Sequence, residues 1–140
     1  MSDKLLQSLE SQRKDLEENL DKVFAEYIKK KYGYQCVLTG EKRNATVFHV
    51  LGRKMFPNVR YDEQNVFLVA RREHDKYHEA DPFAFIRWYV DTFGEEQLKA
   101  LREKAYSKTH VYSVQEIVSL TNQYIAKTRA LPKAKSSNGR

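Results

Sequence analysis

The chain has 140 residues, enough for one globular domain with short appendages. Hydrophobic residues make up 41% and charged residues 31%, and no apolar run approaches the length that crosses a membrane. Because the first residues also lack the apolar stretch of a signal peptide, we expect a cytoplasmic protein without a membrane partner. The single cysteine, Cys36, excludes an internal disulfide and an all-cysteine zinc cluster, which leaves histidines and carboxylates as metal ligands.

The net charge of +6 favours an anionic partner but does not identify it. Residues 1–31 hold seven acids and seven bases, so this segment is neutral. Residues 126–140 carry five bases and no acid, and they account for most of the excess. Residues 132–140 have no apolar anchor, and we expect them to form a disordered basic tail.

Residues 1–33 form the first predicted element, an amphipathic helix with Asp3 as its N-cap and Gly33 at its end. Its apolar stripe consists of Leu5, Leu9, Leu16, Leu20, Val23 and Tyr27. The stripe is narrow and charged residues flank it, so the helix either packs across its own domain or pairs with a second copy. Packing within the chain is the more common outcome, and a homodimer through this helix stays open.

The middle of the chain predicts a strand, a loop, a second strand and a helix. Residues 46–51 and 65–70 are rich in β-branched and aromatic side chains, which is typical of short strands. The intervening residues 52–58 form a loop, and residues 71–79 follow the second strand as a helix. Three further helices are expected over 82–93, 95–106 and 113–131, the last with a capping box between Ser113 and Glu116. The fold class is therefore α+β and mostly helical.

Three of the four histidines, His49, His74 and His78, lie within 30 residues of one another in this middle segment. His74 and His78 are four residues apart on the predicted helix, a spacing that can hold one divalent ion. A solvated helix face is the competing interpretation of that pair. The order is more specific, because His49 ends a strand, Asn65 opens the next one, and His74 follows nine residues later.

This order on a strand–strand–helix scaffold resembles the HNH, or ββα-metal, nuclease family. Phe48-His-Val-Leu-Gly-Arg53 is similar to the family's first motif, and the stretch from Tyr61 to His78 is similar to the metal-binding end of colicin-type HNH domains. The following aromatic and Lys/Tyr-rich helices resemble phage NinG-type recombination nucleases. The resemblance covers residues 34–131, which implies an HNH nuclease-like domain with C-terminal helices, flanked by the N-terminal helix and the tail.

The resemblance implies a role for each of four residues. His49 would activate the water that attacks a DNA phosphodiester, and Asn65 would hold the loop that orients His49. His74 would bind one divalent metal ion and His78 would add a ligand; Mg²⁺ is expected, with Mn²⁺, Ni²⁺ or Zn²⁺ as alternatives. We therefore predict a metal-dependent endonuclease that acts on DNA in phage recombination or replication.

Two features of the family pattern are missing. Phe48 stands where the family usually has an Asp or His metal ligand. Cys36 keeps one position of the family's zinc knuckle, but Thr39, Ala70 and Glu73 occupy the others, so no structural zinc is expected. A catalytically inactive DNA-binding protein on the HNH scaffold is therefore the alternative function.

Basic residues surround the predicted site and predict contacts with the DNA backbone. Arg53 directly follows the catalytic strand, and a guanidinium there could hold a phosphate through two hydrogen bonds. The predicted DNA-binding set is Arg43, Arg53, Lys54, Arg71 and Arg72. An ordinary solvated surface is the competing interpretation of each residue. No base-reading module is recognisable, so we expect recognition of DNA shape more than of sequence.

Overall fold

The computed structural model describes residues 2–79 and 81–133, with the backbone alone for His78, Glu79 and Pro82. The described chain is α+β and mostly helical, as predicted. Its helices are α1 (Asp3–Lys31), α2 (Arg71–Glu79), α3 (Pro82–Phe93), α4 (Glu95–Tyr106) and α5 (Val114–Ala130). Its strands are β1 (Ala45–His49) and β2 (Val66–Ala70), and two 3₁₀ turns span Pro57–Val59 and Glu63–Asn65. The predicted disordered tail lies outside the described residues from position 134 onward.

The chain divides into two compact units, and the division differs from the predicted ranges. The central unit is Tyr32–Val111, and the helix pair combines Met1–Lys31 with Tyr112–Arg140. The predicted range 34–131 covers parts of both units, because α5 groups with α1. None of the described helices combines the length and the hydrophobicity needed to cross a membrane.

In the helix pair, α1 and α5 run in the same direction. The Arg13 guanidinium donates to the Tyr112 carbonyl, and Lys30 Nζ donates to the Thr128 carbonyl at 2.9 Å. Apolar side chains fill the seam between these two contacts: Leu20, Phe24, Tyr27, Ile28, Ile117 and Tyr124 are buried. Since α1 is the longer helix, its first turns extend past the start of α5.

The start of α1 differs from the prediction at its cap. The Leu5 N–H donates to Ser2 Oγ at 3.2 Å, and Asp3 is the first helical residue. Ser2 therefore supplies the capping oxygen, and the Asp3 carboxylate lies in the first turn, where it interacts favourably with the helix dipole. At the start of α5, the predicted capping box between Ser113 and Glu116 is confirmed.

In the central unit, β1 and β2 pair antiparallel with His49 opposite Val66 and Ala45 opposite Ala70. Every residue of β2 is buried, which explains its continuous run of apolar side chains. The strand passes directly into α2, so the order is strand, strand, helix. Aromatic rings from α3 and from both strands form much of the core; they include Phe48, Phe67, Phe85 and Tyr89. Phe83, within the same apolar helix, is 75% exposed.

Candidate functional site

His49 is the last residue of β1 and is half-buried. Its Nε2 lies 3.0 Å from the Arg60 carbonyl oxygen. A carbonyl can only accept, so Nε2 carries the proton of this hydrogen bond, and in the neutral ring the lone pair is on Nδ1. The loop between the strands therefore selects the tautomer of His49.

Asn65 fastens that same loop to the sheet. Its Oδ1 accepts from the Leu51 N–H at 2.7 Å, and its Nδ2 donates to the carbonyls of Leu51 and Val59, each at 3.0 Å. The side chain is fully buried, so these bonds are shielded from water. Asn65 lies at the end of a 3₁₀ turn rather than within the predicted strand, and that position lets its amide cross the loop.

His74 lies on α2 and faces β1. Its Nδ1 lies 3.0 Å from Thr46 Oγ1, and the same hydroxyl lies 3.2 Å from the Val69 carbonyl oxygen. When the hydroxyl proton points to Val69, Nδ1 is the donor to Thr46 and the neutral ring has its lone pair on Nε2. Metal-binding histidines commonly use one nitrogen for such a supporting hydrogen bond and the other for the ion.

Phe48 fills the space beside His74. The two rings meet in a T-shaped contact with centroids 5.0 Å apart, and Phe48 stacks on Phe85 at 4.6 Å. Phe48 therefore faces α2, whereas His49, the last residue of β1, turns its ring to the Arg60 carbonyl. The structure thus brings Thr46, Phe48 and His74 together, and it joins His49 to the loop that carries Arg60.

The two predicted metal ligands, His74 and His78, both lie on α2. His78 lies four residues after His74 on α2, but its side chain is outside the described residues. Among the side chains that are described, no three His, Cys, Asp or Glu residues form a group able to hold a metal.

The predicted DNA-binding residues fall into two groups. Arg71 and Arg72 open α2 and pair with carboxylates: Arg71 with Asp75 at 3.3 Å, and Arg72 with Glu41 at 2.8 Å and with Glu73 at 3.5 Å. Arg43, Arg53 and Lys54 are exposed on connecting segments. Exposed ion pairs contribute little to stability, so Arg71 and Arg72 can exchange their carboxylates for phosphates at low cost.

Cys36 lies in a turn that surrounds its sulfur with hydrogen-bond donors. Burial alone would raise the pKa of the thiol, but hydrogen bonds from the Thr39 hydroxyl and from the N–H groups of Ala70, Leu38 and Thr39 outweigh it, so the pKa lies below its usual value. The Leu38 N–H lies 3.4 Å from the sulfur. Thr39 and Ala70, which stand at two other knuckle positions, thus both contribute donors to Cys36.

Sequence reasoning missed two of the residues that shape this site. Thr46 holds His74, and the Arg60 carbonyl holds His49. The two-residue period of β1 could have shown that Thr46 and Phe48 share a face, whereas a backbone carbonyl leaves no signal in the sequence. No protein-family model, curated protein or solved structure matches the chain.

Proposed function

We propose that the chain is a metal-dependent endonuclease of the HNH type that hydrolyses DNA phosphodiester bonds. The observation that carries this proposal is the pair of hydrogen-bond systems in the central unit: Asn65 holds the loop, and the loop holds His49. They connect the end of β1 to the start of β2, immediately before the helix that bears His74. A fully buried and hydrogen-bonded amide makes the loop rigid, and a rigid loop can hold the imidazole of His49 in one orientation.

His49 is the proposed general base. With its proton on Nε2 and its lone pair on Nδ1, the neutral ring can take a proton from water that attacks the phosphorus. The new bond forms between this water oxygen and phosphorus, and the bond from phosphorus to the leaving 3′ oxygen breaks. The leaving oxygen then takes a proton from solvent. Arg53, Lys54 and Arg43 would bind the neighbouring phosphates.

His74 is the proposed metal ligand, with His78 as a second ligand from the next turn of α2. The hydrogen bond that Nδ1–H donates to the Thr46 hydroxyl fits this role because the neutral ring then has its lone pair on Nε2. A bound divalent ion would neutralise charge on the phosphate and on the leaving oxygen. Two imidazoles leave room for water and phosphate oxygens around the ion. We propose the bacterial cytoplasm as the place where the protein meets this DNA, that of the host if a phage encodes the chain.

Plasmid nicking tests the proposal directly. Supercoiled plasmid is incubated with the protein and Mg²⁺, Mn²⁺ or Ni²⁺, and conversion to open circles is followed on gels. We expect His49→Ala to lower the rate about 100-fold or more. The matched control is His110→Ala, because His110 is the one histidine outside the proposed site. Nicking that is absent with every metal, or equal in wild type and His49→Ala, contradicts the proposal.

A second candidate function is DNA binding without cleavage, and the position of Phe48 favours it. A buried aromatic ring beside His74 cannot coordinate an ion, so the metal site has lost one ligand relative to the family it resembles. This candidate expects salt-dependent DNA binding that survives both His49→Ala and a chelator. Binding of this kind, with no nicking by the wild type, would favour the second candidate over the first.

Self-association through α1 is a further proposal about partners. Leu5, Leu6 and Leu9 are 43–48% exposed on the first turns of α1, which extend past α5. Leucines at this spacing on a helix form one apolar face, and a second copy would cover it. This pairing is compatible with either function.

A further inference from the structure

The loop after β1 contains a short turn whose tip carries an exposed methionine and two charged residues. The Phe56 N–H donates to the Gly52 carbonyl at 2.8 Å, which closes the segment Gly52–Phe56 into a tight turn. Arg53, Lys54 and Met55 form its tip, and all three are exposed. Met55 is 78% exposed, the highest value among the large apolar side chains in the described part of the chain.

Both ends of this turn are anchored. Leu51, just before it, forms hydrogen bonds to Asn65 through its N–H and its carbonyl. Phe56, at its other end, packs edge-on against Tyr106 with ring centroids 5.1 Å apart. The tip is therefore a short projection on a fixed base. A single exposed apolar residue is common on protein surfaces, but this one follows two adjacent cations on a rigid turn.

We infer that Met55 is a wedge that enters the base stack of bound DNA, while Arg53 and Lys54 bind the phosphates on either side. The inference rests on the proposed binding of DNA and names the substrate class: duplexes with a mismatch, a gap or a branch. Apolar wedges, methionine among them, unstack base steps in many DNA-bending proteins. Unstacking costs least where pairing is already broken, so a wedge selects such sites. An unbranched, polarizable methionine adapts to an irregular gap between bases.

The position of the turn also fits a wedge. It begins three residues after His49 in the chain, and Asn65 holds the loop that contains both the turn and Arg60. A duplex that meets Met55 would therefore meet the same anchored loop that orients His49. Because Arg53 and Lys54 adjoin Met55, the tip is better suited to bind a polyanion than an apolar protein surface.

The test uses duplexes that carry 2-aminopurine, whose fluorescence rises when the base unstacks. A matched duplex and one with a single mismatch are titrated with wild type, Met55→Ser, Met55→Leu and, as a control, Val111→Ser. Val111 is an apolar side chain of comparable exposure, 74%, without adjacent cations. We expect wild type and Val111→Ser to raise the fluorescence and to prefer the mismatched duplex about tenfold. Met55→Ser should lose both effects, and Met55→Leu should keep most of them.

Fluorescence anisotropy on the same duplexes measures DNA binding, and it therefore tests the proposed function separately from the wedge that rests on it. If every variant binds DNA and Met55→Ser unstacks 2-aminopurine as well as wild type does, the wedge is wrong and DNA binding stands. If wild type binds neither duplex, the proposed function fails and the wedge fails with it. Thermal melting checks folding, and we expect Met55→Ser to melt within about 2 °C of wild type because the side chain is exposed.

Discussion

The rings of Phe48 and His74 meet in a T-shaped contact with centroids 5.0 Å apart, so a phenyl ring lies beside the histidine that we propose as a metal ligand. A histidine at position 48 would place an imidazole beside His74. We therefore predict that Phe48→His raises the affinity for Mn²⁺ or Ni²⁺ at least about tenfold, or ~1.4 kcal/mol, by isothermal titration calorimetry. Because Phe48 is buried and stacked on Phe85, the variant should also lose about 2–3 kcal/mol of stability.

The matched control for this gain is Phe83→His. Phe83 is an exposed phenylalanine on α3, so the added imidazole does not join His74. We expect no increase in metal affinity from it. An unchanged affinity in folded Phe48→His protein would mean that His74 does not bind the ion.

The hydrogen bonds by which the side chain of Asn65 holds the loop should contribute measurably to stability. Asn65→Ala removes three hydrogen bonds and leaves buried backbone groups of Leu51 and Val59 without these partners. We expect a loss of about 2–4 kcal/mol in the free energy of unfolding, measured with urea. The neighbouring exposed Gln64→Ala should change it by less than about 0.5 kcal/mol. If both variants lost the same free energy of unfolding, the side chain of Asn65 would not be what holds the loop.

Local patterns in the sequence predict most elements of this fold. Helix α2 has its predicted bounds, Arg71–Glu79, because the buried strand before it and the Asp81-Pro82 pair after it mark both ends. The capping box at Ser113 is likewise a signal confined to four residues. Patterns of this kind depend on backbone geometry within one or two turns, so the sequence alone reveals them.

Contacts between distant segments could not be predicted in the same way. The apolar stripe of α5 could pack against many helices, and no local sequence pattern indicates that it packs against α1. In the candidate site, the histidines and Asn65 are visible in the sequence because their types and spacing are unusual. The neighbours that orient them, Thr46 and the Arg60 carbonyl, are set by strand pairing and loop closure.

Thr46 is expected to fix the ring of His74, and replacing its hydroxyl tests this. Thr46→Val keeps the shape and the strand preference but removes the hydrogen bond to Nδ1. We predict that nitrogen chemical shifts of His74 change from one dominant tautomer to a mixture. Affinity for Ni²⁺ should fall about 10–100-fold, as it does when other supporting partners of metal-binding histidines are lost. Thr46→Ser retains a hydroxyl and should recover the wild-type behaviour; failure to do so would argue against a hydrogen-bonding role.

Self-association through α1 gives a concentration-dependent prediction. We expect light scattering to report a mass above that of the monomer at high protein concentration. The double substitution Leu5→Glu and Leu9→Glu puts charges on the exposed apolar face and should return the protein to a monomer. Ser8→Glu and Ser11→Glu add the same charge elsewhere on the helix and serve as the control. Loss of association in both double variants would point to net charge rather than to the leucine face.

Alkaline pH should destabilise the protein through Tyr32. Burial, with the nearby charges of Glu63 and Tyr89, raises the pKa of Tyr32 from 10.0 to about 12. Between these two values the unfolded chain has released this proton and the folded chain retains it, so stability falls as the pH rises from 10 toward 12. Tyr32→Phe cannot ionise, and its urea midpoint should decline less steeply over that window than that of wild type. Burial also raises the pKa of Tyr89, so part of the decline should persist in the variant. Parallel declines in wild type and Tyr32→Phe would show that Tyr32 titrates alike in both states.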